Sequence, residues 1–410
     1  MTRIFIFCFL LASLPVLVYS QTTIEGRVIS VDDKKPLPFA NVFISNTTKG
    51  QQTDEKGHFK ITNAPSGTID LVISYIGYRT FSLQMRADTL KRPLLIMLQP
   101  DAIELKGVTI KRIKNGLKRY FPYFQEGFFG KTTFSAACKL KNPEALIFSM
   151  NEDNSELIIT ADEPLEIENK MLGYVVKYQL EEFRYHFTKQ YLSYWGYPFF
   201  EEMQTKSDKK KQQWLKNRDI AYYGSSQHFF KALTEKKLEA EGFEIHTLIR
   251  EQKKPYLIPL KPEQRDSTGK IISEASREKI SVDSTDLKLR INQSLKKVPT
   301  NLFSKYVQYL VRTPLKEDEI IKQQGEAFIL NFDNYLYVIY NKEFEEAQFL
   351  ETGQKNIPQT STLSLLEPST IVERNGHLIN PLAIIFEGRW GYEKIGELLP
   401  LDYLPQAPSN

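Results

Sequence analysis

The chain has 410 residues, 54 of them basic and 50 acidic, with 41% hydrophobic and 12% aromatic content. A balance so near neutral gives no electrostatic reason to expect a nucleic-acid ligand, and the apolar content suffices for about two or three packed cores. Of the two cysteines, Cys8 and Cys138, only the second remains if an N-terminal leader is removed, so no internal disulfide is expected and stability must come from packing.

Arg3 precedes an apolar run from Ile4 to Val18, which gives way to Tyr19, Ser20 and Gln21. The run is shorter than the ~20 residues of a membrane-spanning helix, and small residues follow it, so residues 1–20 read as a secretory signal peptide cut after Ser20. Phe5, Ile6 and Phe7 before Cys8 lack the small residues of a lipobox, which argues against a lipid anchor. No later stretch reaches spanning length without charge, so no transmembrane segment is expected after cleavage.

Residues 21–100 alternate short β-rich runs with turn chemistry. The runs are Thr23–Ser30, Asn41–Asn46, His58–Thr62, Thr68–Ser74, Thr80–Met85 and Leu94–Leu98. Between them lie Asp32-Asp33-Lys34-Lys35-Pro36, Asp54-Glu55-Lys56-Gly57 and Pro65-Ser66-Gly67, where Gly tolerates positive φ and Pro fixes a turn. Apolar positions alternate within Gly26–Ser30 and His58–Ile61, as they do when one face of a strand meets a core. This cadence predicts an all-β sandwich.

Four blocks occur in family order: Gly26-Arg27-Val28, Pro36-Leu37-Pro38-Phe39-Ala40-Asn41-Val42, Thr53-Asp54-Glu55-Lys56-Gly57-His58-Phe59 and Ser74-Tyr75-Ile76-Gly77-Tyr78. Together they resemble the carboxypeptidase regulatory-like domain, which implies a transthyretin-like fold. The same module resembles the N-terminal extension of TonB-dependent outer-membrane receptors of the Bacteroidetes type, and Ile103–Ile110 is similar to the opening strand of their plug. The rest of the chain lacks the series of alternating strands of about 10 residues that a receptor barrel needs.

Residues 101–120 read as a polar, basic linker, and Tyr120-Phe121-Pro122-Tyr123-Phe124 opens a mixed α+β region over 121–250. Leu157–Thr160 and Tyr174–Tyr178 are predicted strands. A helical hairpin is predicted from near Lys206, with Ser226 as a cap, Phe229, Phe230 and Leu233 on one face, and Gly242 as a stop. Residues 251–284, rich in Lys, Glu, Ser and Pro, read as a mobile insertion or loop. Residues 285–410 form a mixed region ending in strands. Within it, Phe303, Tyr306, Val307, Leu310 and Val311 follow helical spacing until Pro314. Asn334–Tyr340 is β-rich, and Asn375-Gly376 sits as a hairpin turn between Thr370–Val372 and Leu378-Ile379. Three further stretches resemble an uncharacterised extension behind the regulatory-like domain in Bacteroidetes-type envelope proteins: Pro164–Asn169 with Leu172–Tyr174, Tyr222–Ser225 with His228–Phe230, and Phe386–Lys394. That resemblance implies no activity.

Catalytic patterns fail on inspection. None of His58, His186, His228, His246 and His377 opens a His-x-x-Glu zinc pair. Gly130-Lys131-Thr132 lacks the first glycine of a phosphate loop, and Ser294-Leu295-Lys296-Lys297 lacks its companion motifs. Cys138 reads as a buried, inert thiol, and Asp162-Glu163 and Glu181-Glu182 as surface charge. No catalytic residue, cofactor or metal is therefore expected. What remains is an aromatic series from Tyr185 to Phe200, which reads either as a core edge or as a surface for a partner or glycan centred on Tyr191, Tyr194, Trp195 and Tyr197. The whole predicts an N-terminal all-β transthyretin-like sandwich followed by a mixed α+β C-terminal region. It would be an exported, non-catalytic envelope protein, periplasmic or outer-membrane-associated, that serves an envelope protein partner as an accessory or scaffold. A glycan-binding protein and an uncharacterised hydrolase are the alternatives.

Overall fold

A computed structural model describes residues 22–101, 111–189, 191–252, 295–298, 306–350 and 354–406. Among the described residues, those up to Phe124, with Cys138–Lys211 and Asp402–Leu404, form one compact unit. The described residues of Gln125–Ala137 and Gln212–Leu401, with Pro405 and Gln406, form a second.

The first unit begins with β1 (Thr22–Ser30), β2 (Asn41–Ile44), β3 (Gly50–Gln52), β4 (His58–Ala64), β5 (Thr68–Ser74), β6 (Phe81–Arg86) and β7 (Leu94–Leu98). They make two sheets. In the order β4-β1-β7, β1 runs antiparallel to β4 and parallel to β7; the sheet β3-β2-β5-β6 is antiparallel throughout. Alternation drives the sandwich: in β4, Phe59 and Ile61 are buried between exposed His58, Lys60 and Thr62. Ile24, Val28, Val42, Phe59, Leu71 and Leu98 meet in its core, each contributing about 1.5–3 kcal/mol by leaving water. Gly26 lets the strands close on one another, because a Cβ there would lie 2.4 Å from Leu94 O and 2.8 Å from the Phe59 ring. Asp54 makes the predicted turn by accepting from the backbone N–H of Lys56 at 2.9 Å and of His58 at 2.7 Å. The strand that escaped the sequence is β3, three residues without an alternating apolar signal.

The same unit continues with β8 (Lys111–Arg112), α1 (Gly116–Phe124), β9 (Cys138–Leu140), β10 (Leu146–Met150), β11 (Glu156–Ala161), β12 (Leu165–Asn169), β13 (Tyr174–His186) and β14 (Tyr191–Glu202). The sheet order is β8-β10-β11-β13-β12-β9, with β14 also on β13. The thirteen residues of β13 carry β12 on their first half and β11 on their second, while β14 pairs along nearly the whole length. Aromatic rings seat α1 on this sheet, Phe124 lying 5.2 Å from Phe183 and Tyr123 5.4 Å from Tyr185. Residues 102–110 of the expected linker lie outside the described residues, and its last residues are already ordered in β8 and α1.

The second unit contains a π-helical turn at Gln125–Phe129, then α2 (Asp208–Tyr222, in this unit from Gln212), α3 (Ser226–Thr234), α4 (Leu238–Glu241), β15 (Phe243–Gln252), β16 (Leu295–Val298), β17 (Tyr306–Val311), α5 (Glu317–Ile320), β18 (Ile321–Gln324), β19 (Ala327–Leu330), β20 (Tyr335–Phe344), β21 (Pro358–Leu365), β22 (Thr370–Val372), β23 (Ile384–Gly388) and α6 (Arg389–Glu397). Its main sheet has the order β16-β17-β15-β20-β21-β23, and β18-β19-β22 form a smaller one. Phe229, Phe230 and Leu233 of α3 pack with Phe243, Val338 and Trp390.

Three expectations change here. The cap of α3 is Ser225, whose Oγ accepts from His228 N–H at 3.2 Å, one residue earlier than the predicted Ser226. Tyr306–Val311 is a strand between β15 and β16 rather than a helix. Its residues are all partly exposed, so the helical spacing of its apolar residues marks no buried face, and the β-branched and aromatic side chains satisfy a ladder instead. Residues 251 and 252 of the expected insertion 251–284 belong to β15; residues 253–284, like Phe303, lie outside the described residues. The 375–376 turn is as predicted, with Gly376 N–H donating to Glu373 O and Val372 bridged to Leu378.

Candidate functional site

The aromatic series lies on the β13–β14 ribbon, whose register runs from Tyr174↔Glu202 to His186↔Tyr191 with an irregularity at Glu181. Because side chains alternate, Tyr191, Ser193, Trp195, Tyr197 and Phe199 share one face, and Leu192, Tyr194 and Phe200 the other. Tyr194 therefore leaves the predicted surface: it stacks on the buried Phe183 with ring centroids 6.4 Å apart, and burial pushes its phenol well above the ordinary tyrosine value. Tyr191 and Trp195 are 44% and 39% exposed, so both remain available to a partner.

Around them the surface is polar and internally paired. Arg184 grips Glu182 with Nε and Nη2 at 2.6 and 2.7 Å and reaches Glu156 with Nη1 at 3.0 Å. These carboxylates, Glu182 first, raise the guanidinium's proton affinity, so the charge is permanent. Tyr191 donates to Glu156 at 3.2 Å. Toward the far end of the same face the N-terminal sandwich covers β14: Tyr197 donates to Ser82 Oγ at 2.9 Å, and the Phe199 ring lies 5.4 Å from that of Phe43. The strand edge is closed there too, Asn46 N–H donating to Pro198 O at 2.7 Å and Phe200 N–H to Thr47 O at 3.0 Å. Over Tyr191–Gly196, by contrast, no strand among the described residues pairs with the edge away from β13. An unpaired edge beside half-exposed Tyr and Trp is suited to adding a partner strand.

The second unit holds a charge cluster that the sequence reading passed over. Arg389 donates to Glu346 at 2.5 Å, to Glu393 at 3.1 Å and to Glu397 at 3.1 Å, with Glu345 at 3.6 Å. One buried cation cannot balance so many carboxylates. Burial raises Glu393 well above the ordinary range and raises Glu345 and Glu397, while Glu343, which accepts from Gln359 at 3.0 Å, is pushed up to about 7. Beside them, burial pushes Lys394 down to about 8, and its Nζ donates to Gly127 O at 2.8 Å. The signal was the i, i+4 spacing of Arg389 and Glu393, which places the pair on one helix face; Glu397 lies beyond Lys394, where the backbone leaves helical geometry with φ +42°. The partners from β20 and its following loop are distant in sequence and invisible to that rule.

No group of His, Cys, Asp and Glu among the described residues could hold a metal ion. His228 sits in the core against Phe243 and Tyr222, 3.3 Å from Glu241, and burial lowers its pKa. Gly130-Lys131-Thr132 follows the π-helical turn instead of a strand, unlike a phosphate loop. Ser294 lies outside the described residues, and Cys138 is half-buried in β9. No helix among the described residues is long and apolar enough to cross a membrane.

Residues 24–110 match the family of CarboxypepD_reg-like domains. No curated protein matches the chain. Among solved structures, a protein of unknown function from Bacteroides fragilis NCTC 9343 aligns at 10% identity over 90% of this chain and 93% of its own, with a TM-score of 0.16. The major pilin subunit of Bacillus cereus aligns at 9% identity over 90% of this chain and 67% of its own, with a TM-score of 0.15. Scores that low carry no argument about fold or role. The matched family is a regulatory-like domain and not a catalytic one, and the seven-stranded sandwich at residues 22–98 has the architecture it calls for. The N-terminal part of this protein is thus a CarboxypepD_reg-like domain.

Proposed function

We propose that the protein is an exported, non-catalytic accessory or scaffolding subunit of an envelope assembly, working at the periplasmic side of the outer membrane. The observation that carries this reading is the edge of β14 over Tyr191–Gly196, along which no second strand among the described residues pairs, with half-exposed Tyr191 and Trp195 beside it. Main-chain hydrogen bonds along such an edge supply affinity, and an aromatic anchor beside it supplies a desolvated centre. The leader-like run Ile4–Val18 supports export. A photocrosslinking amino acid in place of Ser193, which lies between Tyr191 and Trp195 on that face, tests the reading in intact cells followed by membrane fractionation. A reproducible adduct with an envelope protein in the membrane fraction is expected. Recovery of the chain only in the soluble fraction, without an adduct, would overturn it. Saturable polysaccharide binding that disappears with Trp195→Ala would replace it by the glycan reading.

A further inference from the structure

Within the first unit, β2, β3 and Ser74 of β5 in the sandwich and β13 and β14 of the following sheet line an open cavity of about 340 Å³, near the lower end of the ~300–1,000 Å³ typical of small-molecule sites. Its polar lining comes from Asn41, Gln52, Ser74, Lys177, Gln179 and Glu201, and its apolar wall from Phe43 and Phe199. Lys177 and Glu201 pair at 2.7 Å, so the lining carries no net charge and offers nothing to select a phosphate or a metal ion. Ser74 donates to Gln179 Oε1 at 3.2 Å, which turns the Gln179 amide nitrogen into a donor without a partner among the described residues. Gln52 donates to Asn41 Oδ1 at 3.2 Å, leaving the Asn41 amide nitrogen and the Gln52 carbonyl as a further donor and acceptor. A lipid chain would strand these amides in apolar surroundings.

We propose that this cavity binds a short neutral saccharide. Sugar hydroxyls both donate and accept, and so match a lining of amides and a hydroxyl. The C–H face of a pyranose packs on an aromatic ring, which Phe199 provides where it meets Phe43 at an interplanar angle of 42°. The site is separate from the Tyr191–Trp195 surface and goes beyond the docking role proposed above.

Titration calorimetry of the full mature chain with maltose, cellobiose and N,N′-diacetylchitobiose tests this. At least one should bind saturably with a Kd below about 1 mM. Gln179→Leu should weaken it about tenfold by removing a hydrogen-bond donor from the wall, while Trp195→Ala should leave affinity unchanged. Gln52→Ala, at an exposed position, gives a second variant whose folding is not at stake, and it should also weaken binding. The proposal fails if none of the three sugars binds at concentrations up to about 10 mM, or if binding survives both lining variants. It also fails if binding is lost in Trp195→Ala, which would move the sugar to the other surface. The docking reading is judged separately, by the crosslinking result alone.

Discussion

Replacing Glu343 by Gln should stabilise the protein at alkaline pH and change it little in mild acid. Glu343 stands on β20 near Arg389 and Glu397, and its carboxyl is lifted from the usual 4.5 to about 7, chiefly by burial. An unfolded chain ionises this group from 4.5 upward, whereas the folded one holds the proton until about 7. Between those values the native state binds more protons, so stability falls as pH rises through the window and stays lower above it. Lifting a carboxyl that far makes its ionisation in the folded state cost up to about 3 kcal/mol. Gln cannot ionise, and its carbonyl can still accept the Gln359 hydrogen bond now made at 3.0 Å. The expected gain is therefore about 1–3 kcal/mol at pH 8.5 and under about 1 kcal/mol at pH 5. Urea unfolding followed by tryptophan fluorescence at the two pH values reads this directly. An equal change at both, or a loss at pH 8.5, would refute the assignment of a proton to buried Glu343.

Gly224→Ala should cost about 2 kcal/mol or more, because φ is +81° and the added Cβ would lie 2.7 Å from the Tyr340 ring and 2.9 Å from Gln359 Oε1; a lower urea midpoint checks it. Phe183→Ala removes a fully buried ring shared by α1 and β14 and should destabilise by about 3–5 kcal/mol, measured in the same way. An isolated fragment of residues 21–105 should unfold cooperatively, since its two sheets enclose a core of their own; a disordered fragment beside a folded full chain would contradict that.

The N-terminal sandwich was legible because its strands are short, bounded by Asp, Gly and Pro turns, and buried on one face, so that a period of two survives in the sequence. Period two was also the information needed to split the aromatic series, but nothing local marks which residues of a twelve-residue strand point inward; that followed only from Phe183 waiting beneath Tyr194. For Tyr306–Val311, helical spacing and β propensity disagreed, and the decision lay with β15 and β16, between which the segment pairs. The cavity beside Phe199 and the Arg389 cluster are both assembled from segments far apart in the chain, and along the sequence Gln125–Ala137, which belongs to the second unit, separates two stretches of the first. Sequence alone settled what each short segment can satisfy by itself: the Asp, Gly and Pro turns, the alternation of the N-terminal strands and the helix stop at Gly242. Which side chains end up desolvated together was settled only by tertiary packing, because burial, and with it the raised carboxyls around Arg389, is a property of neighbours that local spacing does not encode.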